Sequence, residues 1–152
     1  PRGWLSPWIA ESRATPDLLA GAGYRYTLNW CADDAPIWMR TRHGRLMAIP
    51  YPQEANDIPA IVARKDGAEA FADLLGDDFE ERRHQIRDGH PQVMGIALHP
   101  YIVGQPHRMR HLRRALSHIA ARRAEVWIGT AGAIYDHAAA LTPGSLPGDP
   151  SA

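Results

Sequence analysis

The sequence has 152 residues, 45% of them hydrophobic and 22% charged, with 17 basic side chains against 17 acidic ones. That length can bury a core and that composition excludes a disordered chain, while the cancelled charge removes any bulk argument for nucleic acid or an anionic membrane as partner. A single cysteine, Cys31, excludes an internal disulfide framework and fits a reducing, cytoplasmic compartment, and no apolar run reaches the ~18 residues of a membrane span.

The chain opens Pro1-Arg2-Gly3-Trp4, which reads as the interior of a structured region and suggests a segment of a longer protein. In "ATPDLLAGAG" (14–23), Thr15 is placed as an N-cap, Pro16 as the first helical residue, and glycines as the stop. "YRYTLNW" (24–30) alternates at the period of a strand, and "PIWMRTRHGRLMAIPYP" (36–52) reads as two strands around a His43-Gly44 turn. The proline-rich "PYPQEANDIP" (50–59) is expected to be a long loop. Residues 66–90 form an amphipathic helix with Phe71, Leu74, Leu75, Phe79 and Ile86 on one broad face. "QVMGIAL" (92–98) is a buried-type strand, 105–123 a second strong helix, "EVWIGT" (125–130) a short strand, and 131–141 a last helix. "TPGSLPGDPSA" (142–152) reads as a flexible tail behind one domain over 1–141. The alternation of strands and helices predicts an α/β fold with parallel strands, whose sites form where strands end. Two stretches lie there: His99-Pro100-Tyr101 after 92–98, and Asn29 to Asp34 after 24–30.

His99 is the leading candidate for chemistry. It follows an apolar strand directly, Pro100 turns the chain outward, and an imidazole at that rim can exchange a proton near neutral pH. The plain alternative is a ring tied to a neighbouring carbonyl. Asp57, in "EANDIP", is a loop carboxylate able to orient an imidazole, or simply the cap of a turn. Arg2 can clamp a carboxylate bidentately, or be a surface arginine. Five tryptophans exceed what a small core needs, so one or two should line a pocket.

The helix 105–123 carries Arg108, Arg110, Arg113, Arg114, Arg122 and Arg123 and no acid, yet Met109, Leu112, Leu116 and Ile119 form an apolar stripe and no nucleic-acid motif accompanies it. A solvated face or a contact between subunits of a homo-oligomer is the better reading. His107 and His111 have a usable ligand spacing, but arginines surround them and no HExxH or cysteine cluster occurs, so no metal site is read in this chain.

Taken together and in this order, "PRGWLSP", "EANDIP" and "GIALHPYIVGQPHR" resemble the C-terminal half of the polysaccharide deacetylase family (nodulation-type deacetylase homology), most of all its allantoinase-like branch. The resemblance runs to about Leu141, and "GIALHPYIVGQPHR" is its most specific piece. It implies an α/β fold, the C-terminal portion of a distorted (β/α) barrel, and hydrolysis of carbon–nitrogen bonds in an amide, a cyclic ureide or an acetamido sugar. It implies Arg2 as the contact of a catalytic carboxylate, His99 as general acid, Asp57 as its support, and Trp4, Leu98 and Tyr101 as substrate contacts. The family's early Asp-Asp and His-pair motifs, which supply the general base and the ligands of a divalent metal, have no counterpart in this sequence: the Asp-Asp at 33–34 follows strand 24–30 in the wrong order, and that at 77–78 is mid-helix. A metal therefore remains an expectation for a longer protein and not for this chain. The competing reading is a non-catalytic binding or assembly module built on a truncated barrel.

Overall fold

A computed structural model describes residues 1–87 and 91–149. The last three residues of the expected helix 66–90 and of the expected tail lie outside the described residues. Two compact units divide the chain: Pro1–Tyr51 with Gly129–Ala152, and Pro52–Ile128.

The first unit is built on a four-stranded sheet in the order β1-β2-β4-β3. Strands β1 (Gly3–Trp4), β2 (Tyr26–Thr27) and β4 (Gly44–Ala48) run parallel, while β3 (Ile37–Thr41) pairs antiparallel with β4. The hairpin turn is Arg42-His43, with Gly44 at φ 108° opening β4, one residue earlier than the sequence suggested. The expected strand 24–30 is shorter: only Tyr26 and Thr27 pair, because Gly3–Trp4 offers two residues of ladder on one side. Gly3 is required there, since a Cβ at this position would lie 2.2 Å from the Tyr26 ring. Helix α1 (Thr15–Gly21) starts at Thr15, which is not its cap; the Thr15 hydroxyl accepts the Ser12 N–H (2.9 Å). Helix α5 (Ala131–Ala139) is capped by Thr130, whose Oγ1 accepts the Ala133 N–H (3.2 Å). Residues 142–149, read from sequence as a flexible tail, run against the outer edge of β3. Trp38 N–H donates to Pro147 O (2.9 Å), Arg45 pairs with Asp149, and Leu146 is buried.

The second unit is helical. The expected loop 50–59 gives way at Ile58 to a wide-turn π-helix, Ile58–Ala63. Helix α2 (Ala68–Arg87) buries Phe71, Ala72, Leu75 and Phe79, as its period dictates, with Glu69 in its first turn and Arg87 in its last. Ile86 departs from the expected face and is exposed. After the single turn α3 (Pro100–Val103), helix α4 (Pro106–Ala120) buries Leu112 and Ala115 and leaves Leu116 exposed. Arg114 bonds Asp73 (2.6 Å), His118 bonds Glu80 (2.7 Å), and Arg83 bridges Glu80 and Glu125, fastening α2 to α4 and to the turn beyond it. The basic residues of α4 are thus partly spent on the acids of α2.

Two expected strands are corrected. Residues 92–98 form no strand: Met94, Ile96 and Leu98 pack on the core, but the only pairing among the described residues is a parallel bridge between Asn56 and Ala97. Residues 121–126 form turns, and 127–130 have no strand partner among the described residues, so Trp127 and Ile128 are exposed. In both places the side-chain pattern is that of a strand while the ladder that would define one is missing.

Candidate functional site

The chain positions Asp57 through its neighbours. Asn56 turns its side chain back on the backbone, its Oδ1 accepting the Ile58 N–H (3.1 Å), and its carbonyl accepts the Ala60 N–H (3.1 Å), which starts the π-helix. On the other side, Ala97 N–H donates to Ala55 O (2.9 Å) and Asp57 N–H to Ala97 O (3.2 Å). The two segments are therefore in register, and the Asp57 side chain lies against His99, two residues beyond Ala97.

The contact is double. Asp57 Oδ2 accepts the backbone N–H of His99 (2.7 Å), and Oδ1 meets the ring Nδ1 (2.6 Å). A carboxylate can only accept here, so Nδ1 carries the proton and Nε2 is the ring nitrogen that Asp57 does not engage. Asp57 is fully buried, whereas the His99 side chain keeps 33% of its surface exposed. The His99 carbonyl accepts from Ile102 (2.8 Å) and Val103 (3.1 Å), because Pro100 begins α3. Backbone N–H, carbonyl and ring Nδ1 are all bonded, so the ring has little freedom, while its outer edge meets solvent. Tyr101 stands edge-on to it, with ring centroids 5.8 Å apart, and is itself exposed. Leu98 packs on the hydrophobic core.

Arg2 belongs to the first unit, where its partner is a carboxylate that sequence reasoning missed. Nη1 donates to Asp136 Oδ1 (2.6 Å) and Nη2 to Oδ2 (3.0 Å), an end-on bidentate pair between residues 134 apart in sequence. This hydrogen bond raises the affinity of Arg2 for its proton and holds the Asp136 carboxyl below the usual carboxylate range. Tyr26 and Tyr135 stack beside it at 5.6 Å. Trp4 donates from Nε1 to Ser6 Oγ (2.7 Å) and packs edge-on to Tyr24. Ser6 is held by the buried Asn29, which accepts the Ser6 N–H (2.8 Å), donates to Ser6 Oγ (2.9 Å) and donates to Glu11 (2.9 Å). The position of Asn29 at a strand end was a sequence signal, but nothing near Asp136, in mid-helix, marks it.

Among the described residues, no three His, Cys, Asp or Glu side chains converge to hold an ion. His111 Nε2 instead accepts from Arg110 (3.1 Å). No helix among the described residues is long and apolar enough to cross a membrane.

No protein-family model matches the chain. A Schizosaccharomyces pombe protein named "Putative polysaccharide deacetylase" is 30% identical over 108 residues, which is 64% of this chain and 33% of that protein. The crystal structure of Puue allantoinase superposes with a TM-score of 0.79 and 25% identity, covering 90% of this chain and 45% of that one. A "probable Polysaccharide deacetylase" from Pseudomonas aeruginosa PAO1 gives 0.75 and 26%, covering 90% and 46%. A "putative polysaccharide deacetylase" from Mycobacterium smegmatis gives 0.76 and 25%, covering 100% and 54%. The chain thus shares the α/β fold of polysaccharide deacetylases and of an allantoinase over nearly its whole length. It spans a third of the curated relative and about half of each solved structure.

Proposed function

We propose that this chain carries the proton-donating part of a hydrolase acting on carbon–nitrogen bonds outside peptides, with His99 as general acid and Asp57 as the group that orients it. The observation that carries this reading is the two-point grip of a fully buried carboxylate on the backbone and ring of one half-exposed histidine. Burial of such a carboxylate is costly unless both oxygens are satisfied, and an arrangement that satisfies them on His99 fixes the tautomer that leaves Nε2 free for proton transfer. When water adds to an amide or ureide carbon, the nitrogen that leaves must gain a proton. A protonated His99 delivers it from Nε2, and Asp57 keeps the imidazolium in place. The similarity to polysaccharide deacetylases and to an allantoinase supports this reaction class, with an acetamido sugar, a cyclic ureide or a small amide as substrate. The base that activates water is assigned to no residue of this chain, so the activity belongs to a protein that supplies one.

The test is a comparison of wild type and His99→Ala in the longest natural form of the protein, on N-acetylglucosamine oligomers and on allantoin. Loss of proton donation lowers kcat by about 100- to 10,000-fold with little change in KM, because the proton is needed in the transition state and not in ground-state binding. A near-normal kcat in His99→Ala overturns the assignment.

A further inference from the structure

In "GIALHPYIVGQPHR" the residues that follow the histidine close on the turn that carries it. That turn is α3, four residues long. A helix of one turn fixes many dihedrals for few hydrogen bonds and does not hold by itself. It nevertheless supplies both bonds on the His99 carbonyl, from Ile102 (2.8 Å) and Val103 (3.1 Å).

The carbonyls of α3 are taken in turn by "GQPHR" (104–108). Gly104 N–H donates to Pro100 O (3.0 Å), and a Cβ on residue 104 would lie 2.2 Å from that oxygen. Gln105 Nε2 donates to Tyr101 O (3.3 Å), and Arg108 Nη1 to Ile102 O (3.0 Å). Gln105 also opens α4, its carbonyl accepting the N–H groups of Arg108 and Met109 (2.9 Å each). Arg108 is thus fixed through its backbone before its side chain reaches back.

The Arg108 bond is the strong one of the three, because its donor is a cation. Arg114 and Arg122, on or just after the same helix, meet the carboxylates of Asp73 and Glu125. Arg108 instead ends on the carbonyl of Ile102, the residue whose own N–H holds the His99 carbonyl. His99 therefore sits between two clamps, Asp57 on its N–H and ring, and the Arg108-held turn on its carbonyl.

We infer that Arg108 is a positioning residue for proton transfer: it locks α3, and through the His99 carbonyl it locks the backbone from which the imidazole projects. Its effect on turnover rests on the proposed general-acid role of His99; its effect on the placement of the ring does not.

The experiment compares Arg108→Met, Arg108→Lys, Gly104→Ala and Arg113→Met in the longest natural form of the protein. NMR follows the His99 ring resonances and amide exchange at Ile102 and Val103, and kinetics are measured on N-acetylglucosamine oligomers and allantoin. Arg108→Met should speed exchange at both amides about tenfold or more, shift the His99 ring resonances, and lower kcat by a similar factor with little change in KM. Arg108→Lys should recover most of these losses, since the contact is one charged donor and not a fork. Gly104→Ala displaces the same turn with Arg108 in place, so it should move the His99 resonances even if Arg108→Met fails to fold. Arg113→Met removes the same charge from the exposed side of α4 and should behave as wild type. Unmoved His99 resonances in Arg108→Met or Gly104→Ala, no recovery in Arg108→Lys, or equal losses in Arg113→Met would overturn the inference. So would a normal kcat in Arg108→Met where His99→Ala loses its own. A near-normal kcat in His99→Ala would instead remove the general-acid reading and leave the link between Arg108 and the His99 ring standing.

Discussion

Asp57→Ala removes the acceptor of two hydrogen bonds at once, to the His99 backbone N–H (2.7 Å) and to ring Nδ1 (2.6 Å), where the carboxylate itself has no solvent exposure. A charge-assisted bond contributes about 1.5–3 kcal/mol, and a donor left without a partner in a buried site costs about 1–3 kcal/mol. The two bonds share one carboxylate whose own desolvation opposes them, so the net loss should fall near 2–5 kcal/mol, the range for breaking a buried pair. That is a large part of the roughly 5–15 kcal/mol by which a domain is stable. Asp57→Asn keeps the shape, yet its amide has one accepting oxygen for two donors, and its NH2 faces an N–H. It should lie close to the alanine variant and not near wild type. The decisive assay is a double-mutant cycle of Asp57→Ala and His99→Ala, with urea unfolding followed by far-ultraviolet circular dichroism, to which α2 and α4 contribute strongly. Coupled groups give an interaction term of about 0.5–3 kcal/mol, whereas independent ones add within about 0.5 kcal/mol. Additivity would refute the argument that Asp57 and His99 act as one unit, and with it the mechanism built on them.

Other perturbations read other parts of the molecule. Arg2 depresses the Asp136 carboxyl, so their pair stabilises the first unit above the usual carboxylate pKa of about 3.9 and loses that contribution as pH falls below it. The urea midpoints of wild type and Asp136→Asn should therefore differ at pH 7 and converge in acid; a gap that persists at low pH would contradict the electrostatic origin. Gly3→Ala places a methyl 2.2 Å from the Tyr26 ring and should shift the Tyr26 and Tyr135 ring resonances and lower Tm, while an unshifted spectrum would show that the strand has room. Phe71→Ala empties the middle of the second unit's core and should cost about 3–5 kcal/mol in the same unfolding assay. Thr130→Ala removes the only side-chain cap of α5 and should cost about 1 kcal/mol, seen as faster amide exchange at Ala133.

The helices and the hairpin were legible because their signals are local. Phe71, Leu75 and Phe79 recur at four-residue spacing, Pro106 opens α4, and β3 and β4 flank a two-residue turn. Strands at 92–98 and 125–130 were not correctly legible, because apolar runs say which residues avoid water and nothing about whether a neighbouring strand exists to pair with them. The tail was misjudged for a related reason. Its glycines and prolines read as disorder, yet Gly148 at φ 74° lets the chain pass so close to Trp38 that a Cβ would lie 2.1 Å from its carbonyl oxygen. His99 could be picked from "LHP" alone, but its partner could not: Asp57 is 42 residues away, and only the family resemblance joined them. Asp136 had no such help.

Among the described residues, His99 is placed without a strand ladder. A strand end normally aims a side chain because many ladder bonds fix its backbone. Here a single bridge at Asn56 and Ala97 sets the register, and the side chain being aimed supplies the rest. His99 is anchored through its N–H by Asp57 and through its carbonyl by α3. The carboxylate that orients the ring therefore also holds the backbone that carries it. Placement and orientation cannot be varied independently, which is why substitutions at Asp57 are expected to reach stability and proton transfer together, whereas His99→Gln, which keeps a polar side chain and the backbone N–H, should lose turnover while retaining most of the fold.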